Sequence, residues 1–140
     1  MAGFSLKKNI VEAENRVLRV ASQAYTIGDA VVWDTTSDAV DVAPATSTSV
    51  VQDLCGVAME TVTSSATSLL VLMINPSQVW ECEVANTVSA NHNGQKMVLT
   101  DANTVNNTGT TSVADEAVVR QVGVAGTKGL FEFVTGGEST

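Results

Sequence analysis

The chain has 140 residues, a net charge of −8 and a pI near 4.3; 44% of its residues are hydrophobic but only 4% are aromatic, so any core is built mainly from Val, Ala, Leu and Ile. That length suits one ordinary domain with a core of its own. An acidic body argues against nucleic-acid binding, which rests on Lys and Arg, and no apolar stretch has the length of a membrane span or a signal peptide, so a soluble chain made in a cytoplasm, with no membrane partner, is expected.

Residues 1–22 read as an N-terminal arm. Four of the seven basic residues, Lys7, Lys8, Arg16 and Arg19, lie in the first 19 positions, while residues 20–95 hold no Lys or Arg and eight acids. A basic arm on an acidic body is expected to dock on a partner or a neighbouring copy. Phe4, Leu6, Ile10 and Leu18 would anchor it, and Lys7, Lys8, Arg16 and Arg19 would steer it. Ile10, Ala13, Val17 and Val20 align at helical spacing, with Glu12 and Arg16 as a helical ion pair; Arg16–Val20 reads equally as a strand.

From Tyr25 onward the pattern is β. Tyr25–Asp29 reads as a turn, Ala30–Trp33 as a strand, and Ala39–Val42 as a short returning strand before a polar loop that starts at Pro44. Leu54–Val62 reads as the next strand. Ser68–Ile74 is apolar on both faces, which calls for cover on two sides or a second subunit, with Leu70, Leu72 and Ile74 as the oligomer interface. Asn75-Pro76-Ser77 turns the chain into the alternating strand Gln78–Val84. Asn93-Gly94 is a second strong turn signal leading into Gln95–Thr100, Asn103–Ser112 reads as a loop, and Ala117–Ala125 returns through Gly126-Thr127-Lys128-Gly129 as Leu130–Val134.

The two halves echo each other. Gly28 precedes one strand and Gly94 another; Thr48-Ser49-Val50 and Thr111-Ser112-Val113 each close a polar loop; Gly56-Val57-Ala58 and Gly123-Val124-Ala125 each come before a final apolar strand. The expected fold is all-β, a small barrel or sandwich of two related β-units following the arm, with the first unit at 23–84 and the second at 85–140 in one compact domain.

Candidate chemistry is sparse. His92 lies in a turn far in sequence from Cys55 and Cys82, so no nucleophile and base are brought together by spacing. Cys82 shares a strand face with Trp80 and Val84 and reads as a small buried hydrophobe; Cys55 reads the same way, and both are expected to be reduced. Asp29, Asp34, Asp38 and Asp41 lack the loop of a calcium hand and read as a solvated acidic face. Gly123, Gly126 and Gly129 are followed by no helix that would bind an anion. No catalytic residue, metal or cofactor is assigned, and the chain is not expected to be an enzyme.

Tyr25, Gly28-Asp29-Ala30-Val31, a Ser/Thr/Ala-rich loop, Gly56-Val57-Ala58 and the apolar strand after it together resemble the capsid decoration (cement) proteins of tailed bacteriophages. The resemblance covers residues 23–84 best and residues 93–134 more weakly, and the arm has no counterpart in it. It implies a small all-β structural protein of the virion, often a homotrimer, that sits on the capsid exterior after assembly in the host cytoplasm and bridges major capsid protein subunits. The alternative from another class is a carbohydrate-binding or adhesion module of a phage tail or fibre, with Trp33, Trp80 or Tyr25 as stacking platforms.

Overall fold

The β-branched, alternating sequence forms eleven strands and one 3₁₀ turn among the described residues of a computed structural model, which are residues 3–9, 14–21, 23–36, 38–47, 53–75, 78–107 and 119–134. The strands are β1 (Ser5–Asn9), β2 (Asn15–Arg19), β3 (Ala30–Trp33), β4 (Val42–Pro44), β5 (Leu54–Ala58), β6 (Ser68–Met73), β7 (Gln78–Val84), β8 (Lys96–Asp101), β9 (Thr104–Asn106), β10 (Val119–Ala125) and β11 (Lys128–Phe133). The all-β expectation holds.

The strands form two sheets. One runs β2-β6-β5-β3-β4, and a parallel bridge between Val20 and Val42 joins its edges. The other runs β7-β11-β10-β8-β9 and closes because β9 also pairs in parallel with β7; β1 is added beside β7. Strand for strand, this is one barrel built twice. β2 to β6 correspond to β7 to β11, the other neighbour pairings are antiparallel in both, and each barrel closes through a parallel contact between its first and third strands.

Hydrogen bonds fix the correspondence residue by residue. Gly28 N donates to Ala58 O at 2.8 Å and Ala58 N to Asp29 O at 2.8 Å; in the second barrel Gly94 N donates to Gln121 O at 2.7 Å and Gln121 N to Gln95 O at 3.1 Å. Gly28 therefore matches Gly94, and both adopt left-handed backbone with φ of 98° and 90°, where glycine carries no Cβ penalty. The same bonds match Ala58 to Gln121, so Gly56-Val57-Ala58 corresponds to Val119-Arg120-Gln121. Gly123-Val124-Ala125 lies further along β10, towards the hairpin turn. The tripeptide echo is thus out of register, and the two Thr-Ser-Val echoes fall outside the described residues.

The expected boundaries also move by a strand. The segment read as an arm is drawn into both barrels. β1 pairs with β7, and β2, a strand and not a helix, lies beside β6 as the first strand of the first barrel. Gln78–Val84, expected to end the first unit, opens the second. The physical reason is alternation: Leu18 and Val20 point into the first barrel as Cys82 and Val84 do into the second, and burying those faces needs both strands in the walls.

Leu18, Val20, Tyr25, Val31, Val42, Cys55, Ala58, Leu69 and Val71 fill the first barrel as a separate core. The core of the second, around Trp80, Cys82, Met97, Val105, Val119, Phe131 and Phe133, is continuous with the outer face of the first, at Ala30, Leu54, Val57 and Leu72. Phe4 completes that shared core, 4.9 Å from the Phe133 ring and edge-on to Trp80 at 6.4 Å.

Candidate interaction surface

The residues expected to act in the arm divide between core and surface. Phe4 and Leu18 are buried, and Leu6 is half-buried against the shared core. Lys7, Lys8, Arg16 and Arg19 stay exposed, as their long charged side chains favour. Ile10 falls outside the described residues. Lys7 Nζ lies 3.8 Å from Glu81 on the neighbouring β7, and Arg16 pairs at 2.7 Å with Glu14; Glu12, the partner that helical spacing suggested, falls outside the described residues.

Arg19 has a structural task. Its guanidinium and backbone N–H each reach Asp41 at 2.8 Å, and Asp41 N donates to Arg19 O at 2.9 Å, just beside the Val20–Val42 bridge that closes the barrel. These charge-assisted hydrogen bonds hold the Asp41 carboxyl below its ordinary range.

The apolar strand expected to carry the oligomer interface is covered largely from within the chain. Leu69 and Val71 face the first barrel's core; Leu72 is buried against the second barrel, and Ile74 packs there half-buried. Leu72 is therefore withdrawn from the expected interface. Leu70 remains half-buried on the outer side, opposite Val17 of β2, which is 69% exposed.

The expected acidic face is corrected in the same way. Asp29 is buried: one oxygen accepts Thr26 N–H at 3.0 Å and the other the Asn103 amide at 3.2 Å. It thereby ties the first barrel's entry turn to the second barrel's β8–β9 hairpin. Backbone bonds reinforce that seam, from Ala30 N to Ala102 O at 2.7 Å, Gly3 N to Asn103 O at 3.1 Å and Phe4 N to Gly28 O at 2.8 Å. Asp34 caps its own turn through Thr36, and Asp38 is exposed. These seam residues were not legible as partners, since Asp29 and Asn103 are far apart in sequence.

Both cysteines are free and buried, and burial pushes each thiol up to about 12. Tyr25 and Trp80 are buried too, which removes two of the three proposed stacking platforms; Trp33 alone is exposed, at 38%. His92 sits half-buried in the 3₁₀ turn Ala90–His92. Among the described residues no group of three or more His, Cys, Asp or Glu is placed to hold a metal, and no helix is long and apolar enough to cross a membrane. A groove of about 280 Å³ runs along Phe4, Ser5, Leu6, Ile27, Gly28 and Met59, where β1 meets the first barrel.

The surface this arrangement offers is thus a pair of joined barrels with the basic residues of β1 and β2 and exposed Val17 on the outside. No family model matches the chain, and neither does any curated protein.

Proposed function

We propose that this chain is a structural protein of a phage virion, which decorates the outside of the capsid and stabilises it by bridging major capsid protein subunits. The observation that carries the reading is the repetition of one barrel topology in a single chain. A lattice of identical subunits offers the same docking surface at regular spacing, and a chain holding two like modules can engage two such places. The second contact then forms at high effective concentration, so modest individual contacts add up to firm attachment. The interlocked seam supports this, because a clamp must transmit load between its halves. The acidic body keeps free copies apart and away from packed nucleic acid.

In this reading attachment does not use a free arm. Lys7, Lys8, Arg16 and Arg19 form the attachment face as surface residues of two strands. Self-association as a homotrimer belongs to the same proposal, with Val17 and Leu70 as its apolar contact. Co-sedimentation of the purified chain with empty heads tests it: saturable binding at a fixed copy number is expected. Glu at Lys7 and Lys8 should slow binding, with a smaller defect at high salt. Unchanged binding by that variant would remove β1 from the attachment face, and no binding by the parent chain would remove the function. The carbohydrate-binding alternative now rests on Trp33, beside Asp34, and a glycan array with the Trp33→Ala variant as its control decides it.

A further inference from the structure

Asn93-Gly94 is the dipeptide in which an asparagine side chain is most readily attacked by the following backbone nitrogen, because glycine offers no side chain to hinder the approach. Both residues are exposed, and nothing lies within 4 Å of where a Gly94 Cβ would stand. The fold nevertheless opposes the reaction at three points. Ring closure needs the Gly94 nitrogen eclipsed with Asn93 Cβ about the Cα–C bond, and the Asn93 backbone, at φ −58° and ψ 133°, is extended and holds them apart. The nitrogen that must lose its proton to attack donates that proton to Gln121 O at 2.7 Å. The side-chain amide that must swing over it is held through its oxygen by Gln121 Nε2 at 3.0 Å.

We propose that Asn93 is a deamidation site guarded by Gln121, so that its modification records opening of the second barrel at the junction of β8 and β10. In the reaction the Gly94 nitrogen forms a bond to Asn93 Cγ and ammonia leaves, carrying the side-chain nitrogen. The resulting succinimide is opened by water at either carbonyl to give aspartate or isoaspartate. Solvent is the only co-reactant. Gln121 suits the role of guard because it is fully buried and anchored: its Nε2 also donates to Ser89 O at 2.7 Å and its backbone N–H to Gln95 O at 3.1 Å. The first barrel has Ala58 at the matching position and Ile27-Gly28 at the matching turn, where no side-chain amide needs restraint. The isoaspartyl product would lengthen the main chain inside the turn that sets the register of Gly94 against Gln121, so the lesion would hinder reclosure.

The test incubates the full chain at mildly alkaline pH, native and in denaturant, and follows Asn93 by peptide mass and isoaspartate content, alongside hydrogen exchange of the Gly94 amide. The native chain should deamidate far more slowly than the denatured one, and on heating its rate should rise in step with Gly94 exchange. Gln121→Ala, a change to the residue the first barrel already carries there, should raise the native rate on the order of tenfold, the effect of releasing one hydrogen bond. Gln121→Met, which keeps the volume and loses only the amide, should do the same while circular dichroism stays that of the parent. Equal native and denatured rates, or folded Gln121 variants no faster than the parent, would overturn the proposal. Should both variants fail to fold, a parent rate independent of Gly94 exchange would overturn it equally.

Discussion

Leu69 and Val71 on β6 occupy the places that Gly129 and Phe131 occupy on β11, because Leu69 pairs with Leu18 as Gly129 pairs with Cys82. The two barrels fill the same volume by opposite choices. A Cβ on Gly129 would stand 2.5 Å from Phe131 Cζ, so the glycine makes room for the ring. Gly129→Leu alone should cost about 1–3 kcal/mol or more by overpacking, and adding Phe131→Val, which installs the first barrel's pair, should recover much of that loss in urea titrations. A double variant as unstable as the sum of the two single changes would refute the exchange of volume. The thiols of Cys55 and Cys82, buried and raised to about 12, should resist labelling in the native chain and react on unfolding; Cys82→Ser should cost roughly 1–3 kcal/mol. For Asp41 the sign follows from its depressed folded pKa. The Arg19 bond contributes stability above the ordinary carboxylate range and loses it as pH falls through the folded value. Asp41→Asn should therefore remove part of the acid sensitivity of unfolding, and an unchanged acid limb would show that the pair contributes nothing.

At the scale of elements, the first barrel has a core of its own, whereas the second shares its core with the first and with Phe4, the residue before β1. Phe4→Ala should cost about 3–5 kcal/mol and loosen the second barrel first, seen as early exposure of Trp80 on heating. Simultaneous melting of both barrels would mean that they fold as one cooperative unit. How much of this was legible follows from where equivalent residues kept their identity. Gly28 and Gly94 were matched correctly because a left-handed turn retains glycine in both copies. β2 and β7 were not matched, since of Arg16–Val20 and Trp80–Val84 only the final valine is common, and alternation alone does not state which barrel a strand joins. Gly-Val-Ala misled because β5 needs its glycine for a close approach to β6, where a Gly56 Cβ would collide with the Leu72 carbonyl, while Gly123 lies by a register shift near the hairpin end. The candidate surface was legible in its lysines and arginines, which stay in water, and not in Phe4 or Leu72, whose cover comes from strands distant in sequence.

For the whole molecule, the outer faces of the two barrels differ in their chemistry at matching positions. Ala30, Val57 and Leu72 of the first barrel are buried under the second, and the matching positions of the second carry Lys96, Arg120 and Glu132, with Arg120 and Glu132 paired at 3.3 Å. Charge at that face acts as a cap that keeps another barrel from stacking. Replacing the three by Ala, Val and Leu should produce concentration-dependent association of chains head to tail, read by light scattering; a variant that stays as dispersed as the parent would contradict the assignment of that face. The two barrels are joined by a seam that includes Asp29, Asn103 and Phe4. The most direct test of the proposed role compares bare heads with heads saturated by the purified chain, and measures the temperature at which each releases its DNA. The account predicts release at a higher temperature from the decorated heads, with the gain reduced by loosening the seam through Phe4→Ala; saturation without any change in the release temperature would contradict it.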